Sequence, residues 1–251
     1  VMYRALSIAG FDPSGGAGVL MDIKIFTRLE VYGYGVVSAI TVQSPRDVYE
    51  VHCLEPSVFR KCLDTALCHL LPNAVKIGML GSSEIVTETS KSLKRFGVRN
   101  IVVDPVFRAK NGVPLLTDDG VQIMIYRLFP LATVITPNIS EASRILGYPV
   151  QTVEDAKSAA REFYRRFNVA VVVKGGHLVG EPVDIFFDGS ELLELKGKRI
   201  SGAPHGTGCV FSSAIAAILA KGVALSEAVS GAKRLTQEFI RMAKGEPLIP
   251  L

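Results

Sequence analysis

Residues 210–220, Val-Phe-Ser-Ser-Ala-Ile-Ala-Ala-Ile-Leu-Ala, carry no charge and no large polar group on any side. At helical spacing such a stretch has no face to show water, so it belongs at the centre of a molecule. It demands structure packed around it, and a chain of 251 residues is long enough to supply that. Immediately before it stands Ser201-Gly202-Ala203-Pro204-His205-Gly206-Thr207-Gly208-Cys209. Gly206 and Gly208 allow a tight turn and close approach to the backbone, and Thr207 is placed to cap the helix. The first-turn amides lack intrahelical partners and share one spot with the positive end of the helix dipole, which predicts an anion site. Cys209 lies in that turn, where the dipole is expected to lower its thiol pKa below the free value of roughly 8.5. A plain capping turn with Cys209 as a small apolar filler accounts for the same residues.

Composition excludes several classes. The hydrophobic fraction is 48%, yet no run approaches the ~18 apolar residues of a membrane span. The net charge of +4 comes from scattered Lys and Arg rather than a basic stripe, so neither nucleic acid nor membrane is an expected partner, while small anions fit. Four cysteines form no C-x-x-C pair and four histidines are dispersed, which predicts a reducing cytoplasm and no structural metal. Residues 3–9 enter a strand pattern without a leader-like architecture, in keeping with a cytoplasmic location.

The rest of the chain alternates strand and helix. A buried strand over 3–9 is followed by Gly10-Phe11-Asp12-Pro13-Ser14-Gly15-Gly16-Ala17-Gly18 and a helical stretch over 19–31. Strand, glycine turn and helix is a phosphate-site layout. It lacks the ending of a P-loop and the third glycine of the dinucleotide fingerprint, so both of those motifs are rejected. Left open are a loop that approaches a ligand, with Asp12 as a polar contact, and a glycine turn needed only for packing. A strand over 36–42 ends at Gln43, whose carboxamide can both donate and accept, as an aminopyrimidine edge requires. A solvated loop glutamine is the alternative. Periodicity predicts helices over 56–71, 82–96, 117–129, 153–167 and 225–243, with short strands over 74–77, 101–103, 132–135 and 169–173. A hairpin over 184–194 turns on Asp188-Gly189.

Polar residues collect at strand ends and helix starts. Asp104 ends the 101–103 strand, Lys110 is a loop cation, and Lys174 follows the 169–173 strand, from where it can reach phosphate oxygens. Asn138 and Glu141 stand three apart at a helix start. They read as a capping box, and also as an amide and a carboxylate able to hold a water-shelled Mg²⁺. Asp104, Asn138, Lys174 and Cys209 fall on one edge of one sheet, where open α/β sheets bind ligands. The alternation predicts an α/β fold, one doubly wound and mainly parallel sheet with helices on both faces, spanning 1–251 as a single domain.

Seven motifs in order carry a family resemblance: Gly10 to Gly18, Lys76-Ile77-Gly78-Met79-Leu80, Asp104-Pro105-Val106, Ala109-Lys110, Thr136-Pro137-Asn138 with Glu141-Ala142, Val173-Lys174-Gly175-Gly176-His177-Leu178, and His205 to Cys209. Together they resemble the ribokinase-like superfamily, and within it the hydroxymethylpyrimidine/phosphomethylpyrimidine kinases of thiamin biosynthesis. The resemblance covers essentially the whole chain. It implies a ribokinase-like fold and ATP- and Mg²⁺-dependent phosphorylation of hydroxymethylpyrimidine, then of its monophosphate to the pyrophosphate. Carried over residue by residue, Cys209 is the catalytic residue and the Gly206, Thr207, Gly208 and Cys209 amides form the anion hole. Lys174 and Asn138 meet ATP, Glu141 and Asp104 serve the metal, and Gly10, Asp12, Ala17, Gln43, Met79 and Lys110 line the pyrimidine site. A homodimer is also implied. A pyridoxal kinase on the same scaffold and a catalytically silent sensor of a thiamin precursor are the alternative readings. Two segments depart from the family pattern: Ser44-Pro45-Arg46-Asp47-Val48 follows Gln43 where the family runs Asn-Thr and then a glycine before valine, and Arg108 replaces an apolar residue.

Overall fold

The structure, a computed structural model, describes residues 2–176, 180–200, 204–243 and 245–247. Ser201, Gly202 and Ala203 of the motif before the buried helix, and His177 and Leu178 after Lys174, lie outside the described residues. Nine strands form one sheet: β1 (Arg4–Phe11), β2 (Tyr32–Gln43), β3 (Val48–Cys53), β4 (Ala74–Ile77), β5 (Ile101–Val103), β6 (Val134–Ile135), β7 (Ala170–Val173), β8 (Val183–Phe187) and β9 (Leu192–Lys196). Their order is β3-β2-β1-β4-β5-β6-β7-β8-β9. The six central strands from β2 to β7 run parallel, whereas β3 at one edge and β8 and β9 at the other are antiparallel to their neighbours. This is the doubly wound α/β sheet that the alternation predicted.

Side chains of the central strands alternate between two apolar layers, as the two-residue period of a strand requires. Leu6, Ile8, Val75, Ile77, Ile101, Val103, Val171 and Val173 share one core with α2 (Pro56–His69), α3 (Ser83–Arg95), α4 (Asp118–Arg127), α5 (Ile139–Leu146) and α6 (Val153–Phe167). Ala5, Ala74, Val102, Val134 and Val172 face the opposite core, built with α1 (Gly18–Arg28), α7 (Thr207–Ala220) and α8 (Leu225–Ala243). Ten of the fourteen residues of α7 are buried, because it lies against β1, β4 and β5 with α1 and α8 around it. Its rigid seating follows from its composition.

Periodicity misses β3. Apart from Val48 its side chains are half-buried or exposed, so it has no clear buried face, and what defines it is antiparallel pairing to β2 from Gln43↔Val48 to Ala39↔Cys53. Other boundaries shift by one to a few residues. The Asp188-Gly189 turn joins β8 to β9 where expected, with Asp188 Oδ1 accepting from the N–H groups of Ser190 and Glu191.

One polar cluster interrupts the α7 layer. Lys76, in the middle of β4, is fully buried and donates to both oxygens of Asp22 on α1 at 2.9 Å. The same carboxylate accepts from Ser7 of β1 at 2.5 Å and Ser213 of α7 at 2.6 Å. Burial alone would depress the Lys76 ammonium, but the charge and hydrogen bonds of Asp22 hold it above the ordinary lysine range. Removing one partner of such a pair strands the other charge, a loss of about 3–5 kcal/mol. Asp22→Ala is therefore expected to lower unfolding free energy by that amount in urea titrations, with Lys76→Met in the same chain recovering most of it; a loss under 1 kcal/mol would contradict this account of the cluster.

Candidate active site

The parallel strands end on one side of the sheet, and the loops there enclose two clefts. The first is lined by Gly10, Asp12, Ala17, Gln43 and Met79 together with Cys209. The second is lined by Phe211, Ile240, Thr236, Gln237 and Lys198 among others. Lys110, Asn138, Lys174 and Gly208 border both clefts, so the two meet over the start of α7.

That start is built by contact between two glycine loops. Gly206 is the N-cap, with φ +84°, and a Cβ there would collide with the Gly16 carbonyl oxygen. Glycine is required on both counts. The cap is thus not Thr207, which is the first helical residue, and no side chain caps α7. This corrects the sequence expectation: Gly206 occupies the one position where the turn needs a left-handed residue, which moves Thr207 into the helix. The uncapped end leaves the first-turn amides available to a ligand at the junction of the clefts.

Cys209 also differs from expectation. Burial pushes its thiol above the ordinary range, and the opposing pull of the Lys76 charge and of the Gly18 N–H is too weak to reverse it, while Asp22 and Asp104 push it further up. The helix dipole is real, but desolvation of the thiolate is larger.

Around this point the charges are paired. Asp104, after β5, accepts from Lys174 Nζ at 2.7 Å and from Thr136 Oγ1 at 2.9 Å through Oδ1, and from Ser212 of α7 at 3.3 Å through Oδ2. Burial works against the Lys174 ammonium, yet Asp104 and Glu141 raise its pKa above the ordinary value. Asn138 and Glu141 form the capping box of α5: Glu141 N–H donates to Asn138 Oδ1 at 2.9 Å and Asn138 N–H to Glu141 Oε2 at 2.7 Å. Burial raises the Glu141 carboxyl to about 7, with Lys174 opposing it. Its Oε1 has no hydrogen-bond donor among the described residues. A carboxylate so placed is short of positive charge.

The first cleft holds a polar chain that sequence reading did not single out. His205 Nε2 is 2.8 Å from Gln43 Nε2 and 3.3 Å from Asp12 Oδ2. Without a proton that nitrogen accepts from Gln43; with one it donates to Asp12. Burial pushes the Asp12 carboxyl up, but hydrogen bonds from His205 and Ser14 outweigh it and the net shift is downward. Gln43 Oε1 accepts from Thr41 Oγ1 at 3.0 Å, which leaves the carboxamide one donor and one lone pair for a ligand. In the second cleft, Asp184 and Lys233 pair at 2.7 Å and Asp184 also accepts from the Gly175 N–H. The signal for His205 was its place in the motif; nothing local marked the Asp184–Lys233 pair, whose members lie 49 residues apart.

Two clefts that meet at a lysine and a helix start, at the strand ends of a mainly parallel sheet, suit a phosphotransferase of the ribokinase-like class. A sequence profile of the phosphomethylpyrimidine kinase family matches residues 12–247, and the chain belongs to that family. It is 46% identical over 242 residues to the hydroxymethylpyrimidine/phosphomethylpyrimidine kinase of Rhizobium meliloti, covering 95% of this chain and 91% of that one. The crystal structure of phosphomethylpyrimidine kinase from Clostridium difficile superposes with a TM-score of 0.82 at 37% identity, covering 96% and 99% of the two chains. Pyridoxal kinase from Staphylococcus aureus, solved with AMP-PCP and pyridoxal, gives 0.86 at 34% identity, covering 98% and 89%. Fold similarity alone thus leaves the acceptor open.

The raised thiol of Cys209, half-buried on the first cleft, has a direct readout. Its alkylation by iodoacetamide is expected to be slow at pH 7 and to climb with pH to a midpoint above the ordinary thiol range. Mass spectrometry of the Cys209 peptide checks this, and a midpoint at or below that range would contradict it.

Proposed function

We propose that this protein transfers the γ-phosphoryl group of ATP first to the hydroxyl of hydroxymethylpyrimidine and then to the resulting monophosphate, forming the pyrophosphate for thiamin biosynthesis. The observation that carries this reading is the meeting of two clefts at the uncapped start of α7, with Lys174 at the junction. The names of the relatives supply the pyrimidine class, and Gln43, held by Thr41 and His205, offers the donor and acceptor that an aminopyrimidine edge needs.

In the first transfer the hydroxyl oxygen bonds to the γ-phosphorus, the bond to the β,γ-bridging oxygen breaks, ADP leaves, and the hydroxyl proton passes to the Cys209 thiolate. The amides of Gly206, Thr207, Gly208 and Cys209 face the charge that develops on the transferred group. Lys174, released from Asp104 by the stronger charge of the phosphates, bridges donor and acceptor, and Asn138 sits beside it. In the second transfer the nucleophile is a phosphate oxygen whose second pKa is about 6, already ionised at neutral pH, so no proton has to move. Positioning and charge stabilisation carry that step.

The residues present suit a magnesium ion held by one or two carboxylates plus substrate phosphates. Glu141, buried and lacking a donor at Oε1, would hold it with Asp104 nearby. When bound, such an ion would supply charge neutralisation for the phosphoryl group being transferred. The kinase unit is read as one domain, since one sheet runs from β1 to β9. No helix of the described residues is long and apolar enough to cross a membrane. A homodimer is supported by exposed Ile40, Val42 and Tyr49 on β2 and the edge strand β3.

ADP release with four acceptors, hydroxymethylpyrimidine, its monophosphate, pyridoxal and ribose, tests the assignment. Turnover of both pyrimidines is expected; preference for pyridoxal assigns the protein to the rival kinase, and silence with all four assigns it to a sensor. Because Cys209 serves only the first transfer, Cys209→Ala should cut kcat on the alcohol by roughly 10²-fold, the usual scale of a lost base, and on the monophosphate far less. The wild-type rate on the alcohol should also rise with pH toward the raised thiol pKa, while that on the monophosphate levels off above about 6. Equal losses in both steps would remove Cys209 from the base role.

A further inference from the structure

Arg46 and Arg108 lie 62 residues apart in sequence. The structure brings them to one place: Arg46 and Arg108 line the first cleft, as does Lys110. Arg46 sits in the four-residue turn between β2 and β3, where Ser44 N–H donates to Asp47 O at 2.9 Å and Ser44 Oγ accepts from the N–H groups of Arg46 and Asp47. Arg108 and Lys110 sit on a small hairpin over 107–115, closed by Leu115 N–H to Phe107 O and Ala109 N–H to Val113 O, each at 2.9 Å. Asn111 Nδ2 on that hairpin donates to Val48 O at 2.7 Å, and Val48 and Leu115 share a small apolar core with Met79. The two turns are therefore fastened to each other.

The charges on this rim are unlike those deeper in the site. Within the cleft Asp12 faces His205, Asp104 faces Lys174, and Lys76 faces Asp22. Among the described residues, Arg46, Arg108 and Lys110 form no ion pair; Arg108 spends one N–H on the Gly112 carbonyl and keeps the rest of its five donors. Three unpaired cations at the mouth of a cleft bordered by the junction with the nucleotide side match a dianionic phosphate monoester better than a neutral alcohol.

We propose that Arg46 and Arg108, with Lys110, form a phosphate-recognition rim that biases this enzyme toward the phosphorylated acceptor, so that the second transfer is favoured over the first. The proposal rests on the functional reading above and specifies which of its two acceptors the cleft prefers. A neutral hydroxymethyl group has no charge for the rim to hold, whereas the monophosphate arrives as the anion that these guanidinium groups bind. The rim thus acts on acceptor choice through kcat/KM and not on the chemistry at the γ-phosphorus.

The test is the ratio of kcat/KM for hydroxymethylpyrimidine monophosphate to that for hydroxymethylpyrimidine, at saturating ATP, in wild type, Arg46→Ala, Arg108→Ala, Arg108→Lys and Arg108→Glu. Both arginines are exposed, and thermal melts confirm that each variant is folded. The ratio is expected to fall about tenfold in each Ala variant, the scale of one lost charge-assisted hydrogen bond, further in Arg108→Glu, and to be largely retained in Arg108→Lys. A ratio within twofold of wild type in both Ala variants overturns the proposal. So do parallel losses on both acceptors with a raised KM for ATP, which would hand the arginines to the nucleotide. Wild-type enzyme that phosphorylates neither pyrimidine overturns the functional reading and this proposal with it, an outcome distinct from an unchanged ratio.

Discussion

An ammonium and a carboxylate without solvent exposure bind four elements of this protein together beneath its site. Lys76 and Asp22, with Ser7 and Ser213, join β4, α1, β1 and α7 at 2.5 to 2.9 Å. The carboxylate receives four hydrogen bonds, so its desolvation is compensated by geometry that only one arrangement of the four elements provides. An apolar core tolerates sliding by a fraction of a turn; a saturated carboxylate does not. That is why the start of α7, to which both clefts open, stands at a fixed distance from the loop after β1, and why Gly206 can lie against the Gly16 carbonyl without drift.

Charge in the site follows a consistent plan. The buried carboxylates near the junction are partnered: Asp104 with the Lys174 ammonium, Asp22 with that of Lys76, and Asp12 with a ring nitrogen of His205. Glu141 is the exception, offset only by Lys174 from a distance and held by a backbone N–H, and it is the group whose burial raises its carboxyl to about 7. A site that pairs its charges internally can exchange those partners for phosphates and a cation without burying a net charge. The rim is the complement: its cations line the first cleft with no carboxylate partner to exchange among the described residues.

Much of this was legible in the sequence because it is local. The strand and helix alternation, the all-round apolar α7, the capping box of Asn138 and Glu141 and the turn at Asp188-Gly189 each depend on residues a few positions apart. What was hidden depends on tertiary placement. β3 carries no buried face of its own and exists through pairing to β2. The Thr207 cap fails because Gly206 meets a carbonyl from another loop, and the thiol shift of Cys209 reverses because a dipole argument at one helix end cannot count the burial around it. Lys76 did leave a mark: a lysine inside the short apolar strand Ala74–Ile77 has nowhere to extend to water, so a buried partner had to exist, although which carboxylate it is lies 54 residues away. Likewise the two arginines were visible as departures, but their shared location was not.

The central claim is that one junction performs two successive single-phosphoryl transfers. Phosphorus NMR of hydroxymethylpyrimidine with ATP and Mg²⁺ reads this directly, since monoester and pyrophosphate products give separate resonances. On this account the monoester rises and then falls as the pyrophosphate grows, with ADP as the sole nucleotide product. Pyrophosphate formed together with AMP, and no monoester along the way, would mean that the site transfers the two phosphates as a unit and would contradict it.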